Sequence, residues 1–98
     1  MSSYLNARRR QAAALLGKDA SEADIDEYIR MGFSRSMGSH VCLALQAAEQ
    51  GSLWVKDRSP VLSALAELKL IELRGDFWHL TPLGETLMAE WRQNARRL

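Results

Sequence analysis

The chain contains only two prolines, and each directly follows a hydroxyl residue, as Ser59-Pro60 and Thr81-Pro82. A hydroxyl at that place can accept a first-turn amide of a helix. The proline after it has a preset φ and lacks an N–H that would go unbonded there in any case. Two helix starts are thereby fixed. After Pro60, Leu62, Leu65 and Leu68 recur at three-residue spacing and Val61 lies one turn before Leu65, which predicts one apolar helical face. Leu70, Ile71 and Leu73 then lead into Arg74-Gly75-Asp76, and Phe77, Trp78 and Leu80 lead out. β-prone runs around a glycine that tolerates positive φ predict a hairpin. Beyond Pro82, Leu83, Leu87, Trp91, Ala95 and Leu98 continue a helical stripe to the end of the chain.

Three further helices and a strand are expected upstream. Tyr4 to Leu16 is rich in alanine, arginine and leucine, with Gly17 as its C-cap and only a weak apolar face. Ser21-Glu22-Ala23-Asp24 has the spacing of a capping box, and Ile25, Tyr28 and Ile29 share one face before Gly32 ends that helix. Ser36 to Gln50 aligns Met37, Val41, Ala44, Leu45 and Ala48, with Gly51 just beyond. Leu53-Trp54-Val55 reads as a short strand able to pair with the hairpin.

The run from the apolar helix through LKLIE, the hairpin and LTPLGE resembles the winged helix-turn-helix superfamily, in particular small bacterial and phage regulators of the MarR and PadR type. The resemblance covers residues 36–98. It implies a mainly α domain with a small β-hairpin, ordered helix, short strand, helix, hairpin, helix. Residues 1–35 then form two additional N-terminal helices, and the whole of 1–98 is one domain. By that resemblance the expected function is DNA binding and transcriptional regulation, with double-stranded DNA as partner.

One interval departs from the family pattern. In GSLWVKDR, Gly51 to Arg58, the strand leaves no room for a regular middle helix, so the helical turn that normally enters the major groove is trimmed. Val61, Ser63, Ala64 and Glu67 are the expected outward residues of the following helix, and none can make a bidentate base contact. Lys69 stands where family members usually carry a glycine. Binding is therefore expected to rest on phosphates. The candidates are Lys56 and Arg58 ahead of the helix, Ser59 and Ser63 in its first turns, Arg74 at the wing, and Arg8, Arg9 and Arg10 on the first helix.

Formal net charge is +1, so charge distribution carries more than the total. Residues 1–17 hold three arginines and no acid, whereas Asp19, Glu22, Asp24, Asp26 and Glu27 make the next segment acidic. That acidic patch and the trimmed helix support an alternative, a winged helix turned protein-binding module. A phage-encoded inhibitor of a host complex, such as an anti-CRISPR protein, or an assembly factor would be of this kind. Leu87, Met88, Trp91 and Leu98 on the last helix are the expected seam of a homodimer. Trp54, Trp78 and Trp91 are expected in or near the core.

Catalysis finds no foothold in the sequence. His40 and Cys42 point in different directions on a helix, and a metal site needs three or four converging ligands. His79 alternates with Trp78 in a strand and reads as a surface position. The single cysteine cannot form an internal disulfide, and no apolar run approaches the roughly 20 residues that cross a bilayer. A cytoplasmic protein without metal, cofactor or membrane anchor is expected.

Overall fold

The computed structural model describes residues 3–57 and 59–96. The elements run α1 (Ser3–Leu16), α2 (Glu22–Arg35), α3 (Ser39–Glu49), β1 (Leu53–Trp54), α4 (Pro60–Glu67), β2 (Ile71–Arg74), β3 (Phe77–Leu80) and α5 (Pro82–Arg96). The protein is mainly helical with one small antiparallel sheet, as expected. No helix among the described residues is long and apolar enough to cross a membrane.

The sheet has the order β1–β3–β2, with β1 added to the free side of the hairpin. Leu53 faces Trp78, and Trp54 faces Phe77; on the other side Ile71 faces Leu80 and Arg74 faces Phe77. Because side chains alternate, Leu53, Ile71 and Leu80 turn into the core while Trp54, Glu72, Arg74, Phe77 and His79 line the outer face. Gly75, at φ +64°, opens the two-residue turn in the position that a type II′ hairpin requires.

Helix α2 begins with the expected capping box. The Ser21 hydroxyl accepts the Asp24 amide at 3.1 Å, and the Asp24 carboxylate accepts the Ser21 amide at 3.3 Å. It does not stop at Gly32 but continues one turn to Arg35. A glycine inside a helix costs about 1 kcal/mol. Phe33, which that extra turn buries completely, returns about 2–3 kcal/mol. Helix α3 starts later than expected, at Ser39 with Gly38 as N-cap, so Met37 packs on the core from outside the helix.

The two hydroxyl-proline pairs behave differently. Thr81 caps α5: its Oγ1 accepts the Gly84 amide at 3.0 Å and donates to the Lys69 carbonyl, while the Thr81 amide donates to Leu70 O at 3.1 Å. Ser59 occupies the N-cap of α4 with extended backbone, but its hydroxyl makes no capping bond, against expectation. The C-terminal end of α4 closes by a Schellman arrangement, in which Leu70 N–H reaches Leu65 O at 2.9 Å and Lys69 N–H reaches Ala66 O at 3.0 Å. Lys69 holds the left-handed position at φ +61°, which glycine would fill without strain. Arg30 of α2 donates to the Leu68 carbonyl at 3.4 Å, one of the last exposed acceptors of that helix.

All five helices feed the core, through Leu5 of α1, Phe33 of α2, Leu45 of α3, Leu65 of α4 and Met88 of α5, with Leu68 and Leu70 from the connection. Of the predicted stripe of α5, Leu87 is buried and Trp91 half-buried, but Leu83 and Ala95 are exposed and Gly84 and Met88 are buried instead, because the helix turns its N-terminal end onto Leu70 and Leu80. Helix α5 packs most extensively on α2. Asn94 caps the far end of that contact by donating to Ser34 O at 2.9 Å. On its other flank Arg92 reaches Glu49 of α3 with bonds of 2.6 and 2.9 Å, which hold the glutamate below its usual range and raise the guanidinium in turn.

Candidate functional site

The residues expected to meet phosphates separate into two groups. Lys56 is exposed in the turn after β1, its ammonium 5.3 Å from the centre of the Trp54 ring. Asp57 beside it turns back to accept the Trp54 amide at 3.1 Å, and the Val55 amide donates to Asp76 O at 2.7 Å, so this turn is tied to the hairpin tip. Across the sheet from Trp54 lie Phe77 and then Arg74 in one row. Arg74 is already engaged: its Nε donates to Glu72 at 3.0 Å on the same outer face. Ser59 is half-buried and Ser63 exposed, while Arg58 lies outside the described residues.

The arginines of α1 do not form a free basic strip. Arg9 pairs with Asp26 at 3.1 Å and comes within 4.0 Å of Glu67 on α4. Arg8 lies over the Phe33 ring at 5.0 Å, an attractive cation–π placement, and of the three Arg10 is the exposed one. Through Asp26 and Phe33 these arginines hold α1 on α2, and through the Arg9–Glu67 approach α1 also reaches α4. With α3 and β2 also packed on it, α4 buries Val61, Leu62, Ala64 and Leu65 and leaves Ser63, Glu67 and part of Ala66 outside. Val61 and Ala64 were expected outward. A helix that is apolar nearly all round packs over most of its surface, and SPVLSALAEL is such a sequence.

Two of the residues expected at a dimer seam lie elsewhere. Leu87 and Met88 belong to the core at 4% and 0% exposure, because they fill the space between α5, α2 and the sheet. Trp91 is half-buried and Leu98 lies outside the described residues. Of the tryptophans, Trp78 packs against the core, but Trp54 is 45% exposed.

An acidic unpartnered surface lies elsewhere. An open cleft of about 500 Å³ runs between the end of α1 and α2, lined by Leu16, Asp19, Ala20, Asp24, Glu27 and Met31. A smaller one of about 150 Å³ continues from it toward α5 through the shared Glu27 and Met31 to Leu83 and Glu90. Leu16, Met31 and Leu83 are each more than 40% exposed. Their apolar floor is rimmed by carboxylates, with Arg30 as the basic side chain at the junction. The sequence showed only its acids, at residues 19–27; Leu16, Met31 and Leu83 are brought together by the packing of three helices. Among the described residues no three His, Cys, Asp or Glu side chains gather as metal ligands would.

The chain was compared with models of known protein families, with curated proteins and with solved structures, and it matches none of them.

Proposed function

We propose that the chain is a protein-binding module on a winged-helix frame, and that the cleft joining α1, α2 and α5 receives a basic amphipathic segment of a partner protein. Support for the frame is the order helix, strand, helix, hairpin, helix with the sheet order β1–β3–β2. The observation that carries the functional reading is the packing of α4. A DNA-reading helix must offer a row of side chains to base edges. Here α1, α3 and β2 surround it, and what stays outside is Ser63, Glu67 and part of Ala66, with the carboxylate close to Arg9. Apolar side chains more than 40% exposed and ringed by carboxylates suit a segment with leucines on one face and lysines or arginines around it. An inhibitor or assembly factor that acts on a larger complex would use such a surface.

Phosphate binding is the second reading, favoured by Lys56 standing exposed beside the start of α4. One assay separates the two. Fluorescence anisotropy is followed as the protein is titrated into a labelled leucine–lysine amphipathic peptide, and in parallel into a labelled mixed-sequence DNA duplex. Peptide binding is expected, weakened about tenfold by Glu27→Lys through the new like charge and untouched by Lys56→Ala. A peptide that fails to bind, beside a duplex whose affinity falls steeply with salt and drops in Lys56→Ala, would return the protein to DNA.

A further inference from the structure

Strand β2 is an outer strand of the sheet, and the hydrogen-bond alternation along it decides which groups face outward. Thr81 N–H donates to Leu70 O across the ladder, so Leu70–Thr81, Glu72–His79 and Arg74–Phe77 are the hydrogen-bonded pairs. Ile71 and Leu73 therefore turn their N–H and C=O away from β3, toward an edge on which no strand among the described residues pairs with β2. An open edge of this kind is a template for another strand. Two side-chain features specify which. Leu73, at the centre of the edge, is 48% exposed although it points to the inner face. Glu72 and Arg74 flank it on the outer face with opposite charges.

We propose that β2 pairs antiparallel with β2 of a second copy of this chain, about a two-fold axis through Leu73, to give a continuous six-stranded sheet. The charges select this register. With Leu73 opposite Leu73 of the second copy, Glu72 stands opposite Arg74 of the second copy, and Arg74 opposite its Glu72. Centring the pair on residue 72 would oppose two glutamates, and centring it on residue 74 would oppose two arginines; like charges directly opposite destabilise a ladder. Leu73 is also one of the residues whose backbone groups face outward, so the central pair exchanges both N–H···O bonds, as a two-fold at that position demands. The same register carries the turn of the second copy, Gly75-Asp76, beside Ile71. There an open groove lined by Ala66, Lys69, Ile71, Pro82 and Leu83 has room for it, and Lys69 offers its ammonium to Asp76 of the second copy. A four-residue strand edge buries less than a standard interface, so the association is weak and concentration-dependent. It shares Leu83 with the cleft but rests on the β2 edge and uses neither Glu27 nor Met31, and so stands whether or not the cleft reading holds.

Sedimentation velocity over a wide concentration series tests the pairing, with circular dichroism of each variant confirming that these exposed substitutions leave the fold intact. The wild-type chain is expected to pass from monomer to dimer as concentration rises. Glu72→Arg and Arg74→Glu, each alone, should weaken the dimer about tenfold by placing like charges opposite one another twice per dimer. The double variant Glu72→Arg/Arg74→Glu should recover it, and the two single variants mixed should form a heterodimer that neither forms with itself. A wild-type chain that stays monomeric throughout, or a double variant as weak as the singles, would overturn the proposal.

Discussion

Helix α4 is held by α1, α3 and β2, whereas α5 rests mainly on α2 and leaves Leu83, Glu85, Thr86, Ala89 and Glu90 in solvent. Both follow a hydroxyl-proline pair, yet only Thr81 caps its helix. The difference lies in what each helix relies on. Helix α4 is short and apolar nearly all round, so neighbours on several sides fix its position and a cap adds little. Helix α5 is amphipathic and must be aimed by its first turn. Thr81 aims it by binding Gly84, Lys69 and Leu70 together at the junction with β2. A helix anchored at its end keeps a broad free face, and one held by three neighbours keeps a narrow one, here Ser63, Glu67 and part of Ala66. On the function proposed above, that narrow face of α4 offers few groups to base edges.

The largest effect that would sharpen the contrast is at Gly84. A Cβ there would overlap the Leu70 carbonyl oxygen and crowd Leu80, and backbone cannot move aside as a flexible side chain can. Gly84→Ala is expected to cost about 3 kcal/mol, measured as a lowered urea midpoint. Next comes the pair of caps. Thr81→Ala should cost about 1–2 kcal/mol, while Ser59→Ala should stay within about 0.5 kcal/mol of wild type. Equal losses in the two variants would break the contrast drawn between the helix starts. The smallest effect is at the other end of α4, where Lys69→Gly should raise stability by about 0.5–1 kcal/mol by removing the left-handed strain at φ +61°.

Much of the carboxy-terminal half was legible from residues alone, because its signals are local. Proline, a capping hydroxyl, a turn glycine and two β-prone runs located β1, α4, β2, β3 and α5 to within a residue or two. What escaped the sequence depended on contacts distant along the chain. Helix α2 passes through Gly32 because Phe33 finds the core, and α5 rolls so that Gly84 meets Leu70, which converts Leu83 from a core residue into a surface one. The face of α4 was misread at Val61 and Ala64 because the weak apolar stripe of α1 gave no sign that Leu5 and Ala12 would be buried or that Arg9 would reach Glu67. The cleft was legible only as its acids. Its apolar floor came from three helices whose meeting no local pattern encodes.

The most direct test of the proposed module follows backbone amide resonances of the uniformly ¹⁵N-labelled protein while the leucine–lysine peptide, and separately the mixed-sequence duplex, is titrated in. The account predicts that the peptide shifts Leu16, Glu27, Met31 and Leu83 together and leaves Ser63 and Glu67 in place, while the duplex perturbs at most the turn around Lys56. Progressive shifts at Ser63, Glu67 and Lys56 with the duplex, and none at Met31 with the peptide, would contradict it.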